Sequence, residues 1–245
     1  MENKIEKLTQ ILKESNNIVF FGGAGVSTES NIPDFRSANG LWNEKLGITL
    51  TPEQLVSHTY FMRYPEEFYN FYHAKLVYPD AKPNPGHLAL AKLEEMGKLK
   101  AIITQNIDGL HQSAGSKNVF ELHGSVHRNY CMSCGQSYDA DFILNAKGVP
   151  KCTKCGGTVR PDVVLYEEGL DEGTIKGAVK AIAEADTLII GGTSLVVYPA
   201  AGLIDYFRGK NLILINKSST SADNRANLVI HDSIGKVLNA AVNLI

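Results

Sequence analysis

The chain has 245 residues, a formal net charge of −2, and 44% hydrophobic against 20% charged residues. This ordinary globular composition argues against disorder, and the near-neutral charge excludes a polybasic grip on nucleic acid as the main function. The length predicts one large domain, or one domain with a small module. Four cysteines are too few for a protein of this size to be stabilised mainly by disulfide bonds.

The N-terminal segment predicts an amphipathic helix and no targeting signal. Apolar residues recur at helical spacing at Ile5, Leu8 and Ile11, which predicts a helix over residues 3–15. Charged residues interrupt any apolar core of a signal peptide there, and no run of 18 apolar residues occurs along the chain. We therefore expect a cytoplasmic protein that does not bind membranes.

Short apolar runs alternate with amphipathic segments along most of the chain. Residues 18–21 form a wholly apolar run, the pattern of a buried parallel strand, and lead directly into Gly22-Gly23-Ala24-Gly25. The further elements predicted are helix 85–96, strand 101–103, a helix around 175–183, strand 187–190, helix 199–207, strands 212–215 and 228–230, and helix 233–243. This alternation predicts an α/β fold with a doubly wound parallel sheet.

The helix over residues 85–96 has clear end signals. Asn84 suits the N-cap and Pro85 the first helical position, while Gly97 ends the helix. The residues predicted to face inward are Leu88, Ala91, Leu93 and Met96.

Residues 123–165 interrupt the alternation and hold all four cysteines, so we predict a small inserted module there. The cysteines form two C-x-x-C pairs, Cys131 with Cys134 and Cys152 with Cys155, separated by 17 residues. This is the spacing of a tetrahedral Cys₄ zinc site, and four thiolates leave no coordination position open, which predicts a structural zinc ion. A zinc ribbon that binds nucleic acid is the alternative, since the module carries five basic and three acidic residues.

A glycine-rich turn follows the first predicted strand. Residues 23–28 match the pattern G-x-G-x-x-G except that Thr28 replaces the third glycine. Glycines in this place let backbone N–H groups approach a pyrophosphate, so the turn favours a dinucleotide site over a plain tight turn. The loop at 30–36 adds Phe35, an aromatic able to cover a ring, and Arg36, a planar donor for phosphate.

Polar side chains follow the other predicted strands, at the sheet edge where ligands bind in such folds. They are Gln105, Asn106, Asp108, the hydroxyls of Thr193 and Ser194 directly after Gly192, and Asn216. His123 lies at the junction between the predicted sheet and the cysteine module, and clefts between domains are a usual place for a substrate.

Together these segments resemble the sirtuin family, the NAD-dependent protein-lysine deacylases, in their bacterial type. The matching segments follow the family's order along nearly the whole chain: 23–27, 32–36, 104–108, 110–111, 121–124, the four cysteines, 160–161, 163–164, 192–195 and Pro199. The resemblance implies a Rossmann-like NAD-binding domain over residues 1–122 and 166–245, with a helical insertion at about 38–82, and a zinc-ribbon module over 123–165.

The resemblance also implies the reaction. The acyl oxygen of a modified lysine attacks the nicotinamide ribose of NAD, which is consumed, and the products are free lysine, nicotinamide and O-acetyl-ADP-ribose. His123 is implied as the general base, with Asn106 and Asp108 as further catalytic residues. The NAD-binding residues implied are Gly23, Ala24, Gly25, Ser27, Thr28, Asp34, Phe35, Arg36, Gln105, Asn106, Ile107, Asp108, Gly192, Thr193, Ser194, Asn216 and Asp232.

The implied partners are proteins or peptides that carry acyl-lysine. Such a peptide would add as a strand between residues 163–168 and 195–197. The substrate-binding residues implied are Val163, Leu165, Glu168 and Val196. Glu167 stands where the family commonly has glycine, and if that position needs a positive φ, glutamate costs about 1 kcal/mol there.

Other departures from the family bear on the substrate. Asn31 replaces a common glycine, but asparagine tolerates the left-handed region. Tyr72 and Lys75 only approximate the Tyr-x-x-Arg pair of sirtuins that prefer acidic acyl groups, so we expect acetyl or other neutral acyl groups. The missing third glycine and the Phe35-Arg36 loop argue against the alternative of a hydride-transfer dehydrogenase.

We expect a monomer without specific nucleic-acid binding.

Overall fold

The computed structural model describes residues 2–35 and 50–245. Its strands are β1 (Ile18–Gly22), β2 (Leu99–Thr104), β3 (Val119–Glu121), β4 (Gly124–Cys131), β5 (Ser137–Tyr138), β6 (Val159–Val163), β7 (Thr187–Gly191), β8 (Asn211–Ile215) and β9 (Leu228–Ile230). Its α-helices are α1 (Glu2–Glu14), α2 (Pro52–Leu55), α3 (His58–Arg63), α4 (Pro65–Lys75), α5 (Pro85–Glu95), α6 (Leu110–Ser113), α7 (Ala140–Leu144), α8 (Glu172–Glu184) and α9 (Ile234–Val242). The start of the predicted helical insertion falls outside the described residues.

Six strands form one parallel sheet in the order β3-β2-β1-β7-β8-β9. This confirms the doubly wound parallel sheet predicted from the alternation of strands and helices. The chain runs outward from β1 to β3, and β7 then pairs with the other side of β1. The carboxyl ends of β1 and β7, where Gly22 pairs with Gly191, therefore form the switch point at which such sheets bind ligands.

Both faces of the six-stranded sheet are covered, because successive residues of a strand point to opposite sides. Phe20 packs on one face with Leu8 of α1 and Leu238 of α9. Phe21 packs on the other face with Ile182 of α8. The wholly apolar β1 is thus buried along its entire length, as its sequence predicts.

A second, antiparallel sheet has the order β5-β4-β6 and carries the cysteines. Its residues share a third core with the aromatic side chains of α3 and α4. Phe61 and Tyr69 pack there with Val126 and Val159, and the Tyr69 hydroxyl donates to the Val159 carbonyl. The helical insertion and the cysteine-bearing sheet therefore pack around one core.

Helix α5 begins as predicted, but its predicted inward face is wrong at Leu88 and Met96. The Asn84 side chain accepts hydrogen bonds from the backbone of the first turn, and the helix ends just before Gly97. Leu93 is buried, yet Leu88 and Met96 are 53% and 41% exposed, while the buried positions include Gly86, His87, Ala89 and Leu90. The helix is rotated towards α9, where a Cβ on Gly86 would lie 3.1 Å from the Gly235 Cα.

One further element differs from its prediction. The helix expected over 199–207 is a 3₁₀ helix at Ala200–Tyr206, next to the cis peptide bond between Tyr198 and Pro199. Among the helices of residues 2–35 and 50–245, none combines the length and apolar composition needed to cross a bilayer.

Candidate active site

The glycine-rich turn after β1 packs directly against the turn after β7. Gly25 N donates to Gly192 O at 2.8 Å, and a Cβ on Gly25 would lie 2.8 Å from the Gly192 Cα. Gly192 has a φ of +59°, and a Cβ there would come within 2.4 Å of Val26 N. Only glycine fits this approach, which leaves a cradle of backbone groups at the switch point. The turn forms short 3₁₀ segments, Ala24–Val26 and Thr28–Ser30, rather than the start of a long helix.

Three predicted site residues form one buried hydrogen-bond cluster beside this cradle. Ser27 Oγ donates to Asp108 Oδ2 at 2.6 Å, and Asn106 Nδ2 donates to Ser27 Oγ at 3.1 Å. Asp108 Oδ1 also accepts from Leu110 N at 2.9 Å. Ser27 is 1% exposed and Asn106 is 9% exposed. The cluster therefore presents an oriented amide and carboxylate, the groups that can read a carboxamide, at the ends of β1 and β2.

A second set of hydrogen-bonded polar residues connects the ends of β2, β7 and β8. Gln105 Nε2 donates to Thr193 Oγ1 at 3.1 Å, and Asn216 Nδ2 donates to Thr193 O at 3.1 Å. Ser194 beside them is exposed. Hydroxyl, amide and backbone groups at adjacent strand ends are suited to the ribose and phosphate groups of a dinucleotide. The cradle and these side chains thus fit NAD along one edge of the sheet.

His123 lies between β3 and β4, where the chain passes from the large sheet to the small one. Its Nδ1 is 2.9 Å from Gln105 O, which can only accept, so Nδ1 carries the proton. Burial lowers the pKa of His123, although the hydrogen bond to Gln105 opposes this. The ring is therefore neutral at pH 7 with an unprotonated Nε2, the state that a general base requires.

The four cysteine sulfurs form one compact cluster. All four Sγ atoms lie within 4.8 Å of one another, with Cys131 and Cys155 at 3.5 Å and Cys134 and Cys152 at 3.6 Å. Zn–S bonds of about 2.3 Å in a tetrahedron place sulfurs about 3.8 Å apart, whereas a disulfide needs about 2.05 Å. The cluster fits a zinc ion held by four thiolates, which supports a structural role because no ligand position stays open.

The segment predicted to bind the peptide is held by a partly buried ion pair. Arg160 donates to both carboxylate oxygens of Glu168, at 2.7 and 2.9 Å, and Leu165 N donates to the same carboxylate at 2.9 Å. Val163 and Leu165 are buried, whereas Val196 is 56% exposed. The Glu168 carboxylate is thus engaged within the protein.

A family model described as the Sir2 family matches residues 23–199, which is more than half of the chain. The chain belongs to the Sir2 family. An NAD-dependent protein deacetylase of Clostridium perfringens is 76% identical over 244 residues, covering 99% of this chain and 100% of that protein. One of Staphylococcus aureus is 49% identical over 240 residues, covering 98% of both chains.

Solved structures of Sir2 proteins share the whole fold. The one described as "Structural Basis for the Mechanism and Regulation of Sir2 Enzymes" has a TM-score of 0.89 at 41% identity, covering 99% of this chain and 98% of that chain. The one described as "Sir2-p53 peptide-NAD+" has a TM-score of 0.85 at 38% identity, covering 98% of both chains. These identities make the likeness one of family as well as of fold.

The remaining predicted residues of this Sir2 protein divide into three groups. Arg36 lies outside the described residues, while Asp34 and Phe35 lie within them. Ile107 is placed beside the cluster and accepts from Val126 N at 3.0 Å through its backbone. Asp232 is engaged at the start of α9, where its carboxylate accepts from Ser233 N and Lys236 Nζ at 2.8 and 2.6 Å.

Two buried histidines next to the cluster received no site role from the sequence, although His111 lies in a segment that matches the family. His87 is 0% exposed and His111 is 1% exposed, with ring centroids 4.7 Å apart. Burial lowers the pKa of both, and the charge of Asp108 opposes this at His87. His87 Nδ1 accepts from Asn84 N at 3.2 Å, so the capping signal at Asn84 contained the only hint that this histidine points inward.

Proposed function

We propose that this Sir2 protein is an NAD-dependent protein-lysine deacetylase in which His123 is the general base. The neutral imidazole at the junction of the two sheets is the observation that carries the proposal. Its Nδ1 proton is committed to Gln105 O at 2.9 Å, which orients the ring and keeps Nε2 available for a proton. General bases of this kind accelerate proton transfer by about 10² to 10⁴.

NAD, when bound, supplies a ribose carbon at which nicotinamide can be displaced by an acyl oxygen. The backbone cradle at Gly25 and Gly192 would receive the phosphates, and Asn106 and Asp108 would orient the carboxamide. Ser27 stabilises the orientation of both side chains through its hydrogen bonds of 2.6 and 3.1 Å. His123 Nε2 would take the proton from a ribose hydroxyl, after which that hydroxyl is a stronger nucleophile.

The substrate is proposed to be a peptide segment that carries a neutral acyl-lysine. Tyr72 is 1% exposed and stacks on Phe68 at a centroid distance of 5.9 Å, in the core shared with the cysteine-bearing sheet. A tyrosine packed in this way is poorly placed to bind an acidic acyl group, which supports acetyl over succinyl. Backbone pairing with residues 163–168 and 195–197 would read little of the flanking sequence.

The proposal includes a cytoplasmic, monomeric enzyme without specific nucleic-acid binding, formally an acyl transferase to ADP-ribose. Size-exclusion chromatography with light scattering tests the monomer. Nucleic-acid binding that is steeply salt-dependent would contradict this part and favour the zinc-ribbon alternative.

The decisive test is mass spectrometry of the purified protein with NAD and peptides carrying acetyl-, propionyl- or succinyl-lysine. The expected result is free lysine, nicotinamide and the O-acyl-ADP-ribose that carries the acyl group of the peptide, which is O-acetyl-ADP-ribose for acetyl-lysine, with acetyl or propionyl preferred. Nicotinamide release without an acyl-peptide, or accumulation of NADH, would contradict the proposal, and the latter would favour a dehydrogenase.

A further inference from the structure

Glu167 holds a backbone conformation that side chains rarely adopt. Its φ is +77°, in the left-handed region that glycine enters without strain. The residue lies in the segment at 163–168 that is proposed to pair with the substrate peptide. Glutamate costs about 1 kcal/mol more than glycine in this conformation, so the contacts of its carboxylate are of interest.

The contact that Glu167 makes is with α3, which lies 108 residues earlier in the chain. Glu167 Oε2 accepts from Thr59 N at 2.9 Å and from Thr59 Oγ1 at 2.7 Å. The hydrogen bond from the Thr59 hydroxyl lowers the pKa of Glu167 most. The hydrogen bond from the Thr59 N–H and the charge of His58 lower it further. Glu167 is thus charged at neutral pH, and its carboxylate accepts hydrogen bonds from both the N–H and the hydroxyl of Thr59.

Neighbouring residues continue this attachment. Tyr166 N donates to Val56 O at 3.0 Å, and His58 N donates to Tyr166 O at 3.0 Å. His58 Nδ1 lies 2.8 Å from the Glu168 carboxylate. Successive residues of the segments 56–59 and 166–168 are therefore joined by hydrogen bonds of both backbone and side chains.

The same segment is joined to the proposed general base. Val164 N donates to His123 O at 3.0 Å, so the backbone that would pair with the peptide is bonded to the residue that carries the imidazole. Any shift of residues 164–168 relative to α3 would change where the acyl-lysine enters relative to His123.

We propose that Glu167 is a positioning residue for the acyl-lysine peptide: its carboxylate fastens the substrate strand to Thr59 of α3 and holds that strand in register for the peptide. This rests on the proposed function, because it assigns the peptide to residues 163–168. The effect passes through Thr59 and the strand backbone, so it acts on peptide binding and not on the chemical step.

Four variants separate the parts of this contact. Glu167→Gly removes the strain and the carboxylate together, whereas Glu167→Gln keeps the side-chain length and loses the charge. Thr59→Val removes the hydroxyl donor, whereas Thr59→Ser keeps it. Glu184→Gln is the matched control, since its carboxylate is 60% exposed at the end of α8.

Two measurements are made on the full-length protein. Fluorescence anisotropy gives the Kd of a labelled acetyl-lysine peptide without NAD, and steady-state kinetics give kcat and the KM of each substrate. We expect Glu167→Gly and Thr59→Val to raise the peptide Kd and KM about three- to tenfold, with kcat and the KM for NAD within about twofold. Thr59→Ser and Glu184→Gln should match the wild type, and the Glu167→Gln/Thr59→Val double mutant should be non-additive.

Amide hydrogen exchange adds a readout independent of turnover. In Glu167→Gly, the amides of His58, Thr59 and Tyr166 should lose protection while the strands of the six-stranded sheet keep theirs. A peptide Kd within about twofold of the wild type in both Glu167→Gly and Thr59→Val would overturn the proposal, as would loss of protection throughout the protein or a fall in kcat alone. Wild-type protein that binds the peptide but releases no nicotinamide refutes the proposed function instead.

Discussion

Replacing Glu168 by glutamine perturbs the ion pair beneath the proposed substrate strand. The Arg160 side chain is 10% exposed and that of Glu168 is 19% exposed, and two hydrogen bonds of 2.7 and 2.9 Å join them. Glutamine keeps the volume of the side chain but leaves the Arg160 charge without its partner. Breaking one side of a buried pair is destabilising because the other charge stays desolvated.

The size of the effect follows from the titration of Glu168. Burial opposes its ionisation, yet the hydrogen bonds from Arg160 lower its pKa from 4.5 to about 2. One pKa unit corresponds to about 1.4 kcal/mol, so the full shift is worth about 3.5 kcal/mol of folding free energy at neutral pH. Because the carboxylate is partly exposed, solvent screening reduces this to about 2 kcal/mol, or about 4–8 °C in Tm.

The pH dependence has a definite sign. The folded-state pKa lies below the unfolded value, so the stabilisation is present above pH 4.5 and is lost as the pH falls towards about 2. Urea unfolding of the wild type and Glu168→Gln should therefore show the full difference at about pH 7, about half of it or less at about pH 3, and little at about pH 2. Glu172→Gln is the control, since its carboxylate is 85% exposed beside Lys176. Equal stabilities at neutral pH, or a difference that does not change with pH, would refute the reasoning.

Three further substitutions test the site. His123→Ala should lower nicotinamide release with acetyl-peptide at least about 100-fold without a change in Tm, and near-normal turnover would remove His123 as the base. Cys131→Ala should abolish stoichiometric zinc in elemental analysis and lower the Tm, whereas unchanged zinc content would contradict the Cys₄ site. Gly192→Ala should cost about 1–3 kcal/mol in urea unfolding, because its Cβ would lie 2.4 Å from Val26 N at a φ of +59°; unchanged stability would show that the turns can separate.

Features encoded by neighbouring residues were predictable. The spacing of the cysteine pairs, the apolar run of β1 and the cap at Asn84 each depend on a few adjacent positions. They led to the cluster of four cysteines, the parallel sheet and the start of α5, all of which the structure contains. The family resemblance added the order of the segments around the switch point.

Features that depend on contacts between distant segments were not predictable. The partner of the inward face of α5 is one such feature, because a Cβ on Gly86 would lie 3.1 Å from the Gly235 Cα of α9, which is far away in the chain. The side chain of Glu168 is drawn into the ion pair with Arg160, which the peptide-binding assignment alone does not reveal.

The sequence by itself therefore determined the fold class, the family and the cysteine pairs proposed to hold zinc, because local spacing and residue chemistry encode them. Only the tertiary structure decided which nitrogen of His123 carries the proton, since that depends on Gln105 O, 18 residues away. It likewise decided that Glu167, at a strained φ, is held by Thr59. Hydrogen bonds between remote segments form only where the packed chain brings a donor within about 3 Å of an acceptor, and no local pattern records that distance.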